Sequence, residues 1–233
     1  HIATGFVRAN FSFGIFFLLC TLTLGLILTS CDRVSETNRA QSQNHYEAAQ
    51  SFLSQGNSEA ALVELDKSIQ LNPKDPKLYR VRAGLLKNFG QFNRAVKDHN
   101  RIVNLLPKDP TTYAARATVH LEMGNINEAI SDYSSAIELD PNNPSLYGAR
   151  GHATARQGQL QQSESDYRKA IQLDPDSAKL YAGLGDVLAQ SGDLEGGIEE
   201  YGIAIRLDDQ NADFLYDRGM VFAKARKFED AFR

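Results

Sequence analysis

Tryptophan is absent from this chain, methionine occurs twice, and the only cysteines, Cys20 and Cys31, both lie near the N-terminus. Everything after Cys31 is therefore free of thiols, which excludes a disulfide framework and a cysteine-ligated metal site from the body. Long runs of positive charge are also missing. Lys and Arg total 25 against 29 Asp and Glu, a formal net charge of -4. That balance argues against nucleic acid as the main partner. With 42% hydrophobic and 23% charged residues, the composition is that of an ordinary folded domain carrying one unusual segment.

That segment is the stretch from Phe11 to Leu28, 18 residues without a charge, preceded by Arg8. A basic region followed by an apolar run reads as an export signal. The run is longer than a signal core of about 7–15 residues and shorter than the ~20 that span a bilayer, so a cleaved signal and an uncleaved transmembrane anchor both stay open. Cys20, inside the run, reads as a small apolar filler.

The run ends on Leu28-Thr29-Ser30-Cys31, which resembles the lipobox of bacterial lipoproteins. The resemblance implies cleavage before Cys31 and lipidation of that residue, with the repeats on the exported face of a bacterial membrane. Several acyl chains would anchor stably where one is marginal. Asp32 resembles the inner-membrane retention signal of some enteric lipoproteins. Residues 1–31 are thus expected to be signal peptide or anchor, and the polar stretch 32–41 a flexible tether.

From residue 42 the chain repeats with a period of 34 and no insertion or deletion, in blocks 42–75, 76–109, 110–143, 144–177 and 178–211, then a partial block 212–233. Pro73, Pro107, Pro141 and Pro175 hold one place, with Asp209 in the fifth block. Gly56, Gly90, Gly124, Gly158 and Gly192 hold another. A gapless period of this size marks a solenoid. Position 34 is Asp75, Asp109, Asn143, Ser177 and Asn211, all good helix N-caps. Pro76, Pro110 and Pro144 follow three of them and suit the first helical position. The mid-block glycine is placed to end that helix in the left-handed conformation. A second amphipathic run follows, so each block predicts a helix pair.

These marks resemble the tetratricopeptide (TPR) repeat over residues 42–233. In block 110–143, Tyr113, Ala117, Gly124, Ala129, Tyr133, Ala136 and Pro141 occupy that motif's signature places. The resemblance implies an all-α fold, a right-handed α-solenoid of antiparallel helix pairs. Leu65 and His99 replace the second aromatic, Ser163 and Gly197 the small alanine, and Ser68 and Ile102 the counterpart of Ala136. The partial block has Leu215, Gly219, Phe222 and Ala231 in register and Arg226 where glycine is expected. A solenoid end needs a polar cap, so the native chain is expected to continue.

No catalytic set emerges. Four histidines follow the leader, His45, His99, His120 and His152, without metal-ligand spacing or a nucleophile–base pattern. His99 and His120 sit at core-type positions and read as satisfied core histidines. The segment 183–188 lacks the third glycine of a dinucleotide loop, and 208–213 lacks the glycine and glutamate of an EF-hand. The expectation is a non-enzymatic chain with no cofactor and no metal.

Motif position 7 is Arg82, Arg116 and Arg150, and position 23 of the same blocks is Asp98, Asp132 and Asp166. Where Arg is missing, position 23 is Glu64 or Glu200. The matching predicts Arg–Asp bridges within repeats, with an arginine ladder for an anionic ligand as the alternative. The TPR resemblance further implies a groove lined by the first helices, here Lys77, Arg80, Lys87, Asn88, Thr118, His152, Arg156 and Asp186. Small residues at positions 5 and 12 of blocks four and five are expected to leave room for a ligand. The basic flank would suit a peptide with acidic groups. The expected role is a membrane-anchored scaffold for a protein or peptide partner. A recruiting arm for an enzyme domain beyond residue 233 and a self-associating array are the alternatives.

Overall fold

The structure is a computed structural model and describes residues 35–225. Cys20, Cys31, Asp32, Arg226 and Ala231, with the expectations attached to them, lie outside the described residues. Those described are all-α: eleven helices and no strand among them. They run α1 (35–54), α2 (Ser58–Leu71), α3 (Pro76–Asn88), α4 (Phe92–Leu105), α5 (Pro110–Glu122), α6 (Ile126–Leu139), α7 (Pro144–Arg156), α8 (Leu160–Leu173), α9 (Ala178–Ser191), α10 (Leu194–Leu207) and α11 (Ala212–Lys224). The chain divides into two units, one ending at Leu78 and one starting at Tyr79, a boundary inside the first turn of α3.

In the first unit α1 pairs with α2. Ala49, Ala61 and Leu65 are fully buried. Ser42 and Ser68 exchange hydroxyl-to-carbonyl bonds of 2.9 and 2.7 Å. Residues 35–41, expected as part of a flexible tether, are helical. The segment 35–54 contains no Gly or Pro, so nothing breaks the helix at the block boundary, and polarity there marks an exposed helix face.

In the second unit each first helix packs on its own second helix and on the neighbouring repeat. Ala117, Leu121, Ala129, Tyr133 and Ala153 form one cluster spanning α5, α6 and α7. Tyr167, Ala170, Leu180, Leu184, Val187 and Leu188 form the next. Ala182, Ala189, Tyr201, Ala204, Phe214 and Val221 close the series. Repeats thus share a core with their neighbours and bury little alone, as expected of a solenoid.

The turn chemistry follows the period. All five mid-block glycines have positive φ, from 68° at Gly90 to 99° at Gly192. Asp109, Asn143 and Asn211 accept from the backbone N–H two residues on, at 2.9–3.1 Å, and so does Asp75 in the first unit. Ser177 has the extended backbone of a cap but makes no side-chain cap bond. Tyr113 and Tyr147 donate to the carbonyls of Pro107 and Pro141, which ties each first helix to the preceding turn.

Candidate functional site: the face of the first helices

The Arg–Asp pairs have one geometry, repeated. Arg82 Nε and Nη2 donate to the two carboxylate oxygens of Asp98 at 2.8 and 2.5 Å. Arg116 does the same with Asp132 at 2.8 and 2.6 Å, and Arg150 with Asp166 at 2.9 and 2.7 Å. The carboxylates are only 3%, 6% and 2% exposed. The bonds to Asp132 and Asp166 hold the Arg116 and Arg150 guanidiniums above their ordinary pKa. Nη1 of Arg116 reaches Asn100 Oδ1 at 2.8 Å, and Nη1 of Arg150 reaches Ser134 Oγ at 3.1 Å. Each of these two arginines therefore joins both helices of its own repeat to the preceding one. With every edge of the fork committed, the pattern counts against an arginine ladder for an anion.

Repeats lacking the arginine differ. In the first unit Glu64 contacts His45 Nδ1 at 2.5 Å and Lys67 at 2.7 Å. The Lys67 bond, then that of His45, lowers the carboxyl's pKa. Glu200 has no ion-pair partner among the described residues, and burial raises its pKa.

His99 is in the core, 7% exposed, but it is not satisfied: its Nδ1 is buried without a hydrogen-bond partner. It replaces an aromatic whose site offers shape and no acceptor. Burial lowers its pKa, against a smaller opposing pull from Asp98. His120 is half-buried, with one long contact of 3.5 Å to Asn125. It is therefore a boundary side chain rather than a core one.

The groove residues fall into two groups. Five cations on the first helices are already engaged. Lys77, in the first unit, lies 4.1 Å from the centre of the Tyr46 ring. Arg80 stands 3.9 Å from Asp109 and Lys87 3.1 Å from Glu122. Arg156 donates to the Leu121 carbonyl one repeat back, and Lys224 does the same to Ala189. These last two bonds satisfy carbonyls in the terminal turn of the preceding first helix. Asn88 is exposed.

The second group occupies motif position 9. Thr118 Oγ1 lies 3.3 Å from the Tyr133 hydroxyl, and Asp186 Oδ1 accepts from the Tyr201 hydroxyl at 2.5 Å. Burial, then the bond to Asp186, raises the Tyr201 pKa. His152 is exposed; desolvation and the Arg156 guanidinium lower its pKa. Gln50, Gly84, Thr118, His152, Asp186 and Met220, position 9 of all six blocks, are every one exposed. Position 8, one residue earlier, is buried in each of the first five.

The room expected at positions 5 and 12 is filled. A Cβ added to Gly148 would stand 2.8 Å from Leu180 Cδ2, and Ala182 and Ala189 are buried. Small residues here admit the next repeat rather than a ligand. The tyrosine ring of Tyr167 exploits the same device, for added Cβ atoms at Gly151 and Gly183 would stand 3.0 and 2.4 Å from it. Its hydroxyl is pushed up to about 12 by burial. No grouping of metal-ligating side chains occurs among the described residues.

Family comparison agrees with this architecture. A TPR repeat model matches residues 117–158, 151–192 and 185–225, and a tetratricopeptide repeat model matches 42–75, together well over half of the chain. The chain belongs to the tetratricopeptide repeat family. Among solved structures, MamA (41-end) of Desulfovibrio magneticus RS-1 aligns with a TM-score of 0.67 at 22% identity, over 73% of this chain and 97% of that one. A tetratricopeptide repeat protein from Parabacteroides merdae aligns with a TM-score of 0.76 at 16% identity, over 83% and 77%. YrrB, described as a TPR protein with an unusual peptide-binding site, aligns with a TM-score of 0.56 at 22% identity, over 72% and 86%. No curated protein matches the sequence significantly. At these identities the likeness establishes the TPR solenoid fold, one that supports protein–protein interaction.

Proposed function

We propose that this chain is a non-enzymatic adaptor that takes a protein segment on the exposed face of its first helices. The carrying observation is position 9, which stays exposed in every block while its neighbour at position 8 is buried in the first five. In the second unit this face runs across neighbouring helices, because Arg156 and Lys224 bond α7 to α5 and α11 to α9. A peptide-binding site is named for YrrB, a structural neighbour, and peptide capture on this chain is the reading that the fold and the face favour.

The test changes exposed side chains, so that the fold survives. The full chain carrying Thr118→Arg and His152→Glu should retain its helical circular dichroism and lose the partners that wild type captures. An unchanged set of captured proteins would remove this face from consideration.

The anchoring reading is separate. Leu28-Thr29-Ser30-Cys31 at the end of an uncharged run supports a lipid at Cys31 of an exported, membrane-held bacterial protein. Mass spectrometry of the mature N-terminus should find acyl chains on Cys31, and Cys31→Ala should release the chain from membranes. Retention of the uncharged run 11–28 in the mature protein, with continued membrane association, would instead establish a spanning anchor.

A further inference from the structure

In repeats three, four and five a tyrosine stands at motif position 24 of the second helix: Tyr133, Tyr167 and Tyr201. In two of them its hydroxyl meets the exposed position-9 side chain of the first helix. Tyr133 lies 3.3 Å from the Thr118 hydroxyl, and Tyr201 donates to Asp186 at 2.5 Å. The polar groups of those repeats thus find each other inside the fold. Repeat four has the same register, with His152 at position 9, yet no bond joins His152 to Tyr167. The Tyr167 ring lies between two glycines instead. Added Cβ atoms would stand 3.0 Å from its Cδ2 at Gly151 on α7 and 2.8 Å from its hydroxyl oxygen at Gly183 on α9. The phenol is therefore drawn across to α9, with its oxygen against backbone that carries no side chain.

Tyr167 is 8% exposed, and its hydroxyl makes no hydrogen bond among the described residues. Buried polar groups are nearly always paired, so an unpaired one calls for a reason. Unlike His99 Nδ1, this oxygen is not sealed from solvent. His152, next to Gly151 and exposed, makes no hydrogen bond among the described residues either. Burial pushes the Tyr167 hydroxyl up to about 12, so it stays protonated. Desolvation, then the Arg156 charge, lowers the His152 pKa, so its ring is neutral near pH 7. A phenol and a neutral imidazole each offer one donor and an acceptor. The charges around them are of both signs. Arg156 donates to the Leu121 carbonyl and Asp186, one turn after Gly183, accepts from Tyr201. Lys179, one turn before Gly183, is exposed. Such a border favours neither a carboxylate nor an ammonium group.

We propose that repeat four holds a hydrogen-bonding subsite, made by the Tyr167 hydroxyl and the His152 ring, for an Asn or Gln side chain of the partner segment. This rests on the first-helix face being the interaction surface, and it names the chemistry read at one point of it. The hydroxyl belongs to a buried side chain beneath the exposed position 9, so a side chain of the partner reaches it where a backbone passing over the face does not. A planar carboxamide brings one acceptor oxygen and two N–H donors on a short arm. The oxygen takes the Tyr167 proton, and an N–H is left for the imidazole. An apolar side chain in the same place leaves both protein groups unpaired and is rejected.

Thermal melts of the full chain in mild detergent show first whether the hydroxyl is used by the fold. Tyr201→Phe removes the bond to Asp186 and should lower Tm, whereas Tyr167→Phe should leave it unchanged. Equal losses would overturn the proposal. Binding is then read with a displayed library of random peptides. Those held by wild type should converge on Asn or Gln at one position. Labelled synthetic copies should bind Tyr167→Phe and His152→Ala roughly fivefold more weakly, the worth of one hydrogen bond. Changing that Asn or Gln to Leu should weaken binding to wild type and barely alter binding to Tyr167→Phe, because the two changes remove the same contact. Peptides that do not converge on Asn or Gln would overturn the subsite. So would binding that ignores Tyr167→Phe and His152→Ala but is abolished by Thr118→Arg, and that result leaves the adaptor reading standing. Binding indifferent to all three variants, or a library that yields no binder, would remove the subsite and the face together.

Discussion

Repeats three and five of the second unit hold their helix pairs by different means. In repeat three, Arg116 and Asp132 form a bidentate bridge across α5 and α6, and Ala117 faces Ala129 with both methyls fully buried. In repeat five, Leu184 and Glu200 stand at the bridge positions, and Gly185 and Gly197 replace the alanines. There the backbones nearly touch, for a Cβ added to Gly197 would stand 3.0 Å from the Gly185 carbonyl oxygen. One repeat is locked by directed polar bonds and the other by close backbone approach with Leu184 buried beneath it. The period of 34 is thus compatible with two energetic solutions, and each should fail in its own way.

Removing Asp132 should show the largest difference. Asp132→Ala strands Arg116 in a site where the carboxylate was almost fully buried, and a broken buried pair costs about 3 kcal/mol or more. Glu200→Ala, at the same motif position, should shift stability by less than about 0.5 kcal/mol, because that carboxyl forms no close ion pair among the described residues. Chemical denaturation of the two variants measures both, and equal losses would erase the contrast. Next in size is Gly185→Ala. Its new methyl meets Tyr201 Cδ2 at 2.9 Å and the Gly197 carbonyl oxygen at 3.1 Å, and overpacking of this kind costs about 1–3 kcal/mol. The methyl already present at Ala117 is accommodated, so a neutral result at Gly185 would mean that repeat five is no tighter than repeat three.

Caps give a smaller effect and a sharper internal control. Asn143→Ala should cost about 1 kcal/mol, whereas Ser177→Ala should cost a few tenths, since only Asn143 makes the side-chain bond. Thermal melts that place the two variants together would contradict the cap geometry. The smallest expected effect is pH dependence from repeat two. His99 has a folded-state pKa below its unfolded value, so the unfolded chain binds the proton more readily. The contribution of neutral His99 is complete above about pH 6.5 and declines as pH falls from there through the folded pKa. Urea midpoints across that range should flatten in His99→Tyr; an unaltered slope would assign the dependence to other groups.

Much of the fold was legible because the marks are local. A glycine that needs positive φ, a proline at the first helical position and an Asn before it each act within a few residues of themselves. Repetition at a fixed interval multiplies the signal. The Arg–Asp pairing was legible for a related reason: the two positions vary together from repeat to repeat, as Leu184 with Glu200 shows. Residues 35–41 were misread because a polar, breaker-free stretch looks the same as helix surface and as loose chain. Ser177 has the chemistry of a cap, but whether its hydroxyl turns to the N–H groups depends on surroundings that its neighbours in sequence do not specify.

The candidate site was less legible. Position 9 followed from the motif, and Thr118, His152 and Asp186 are exposed there, but Met220, at the same place in the partial block, was not named. The signal was present, because Met220 stands one period after Asp186. Sequence alone determined that this chain folds as antiparallel helix pairs of the tetratricopeptide kind, because helix ends and amphipathic faces are set by neighbours three or four residues away. Tertiary structure alone decided which charges are spent within the fold and which small residues are filled by the next repeat. Those outcomes depend on contacts some 35 residues apart, such as Arg156 with the Leu121 carbonyl and Lys87 with Glu122. A charge written in the sequence becomes available to a partner only after the neighbouring repeat has taken its share.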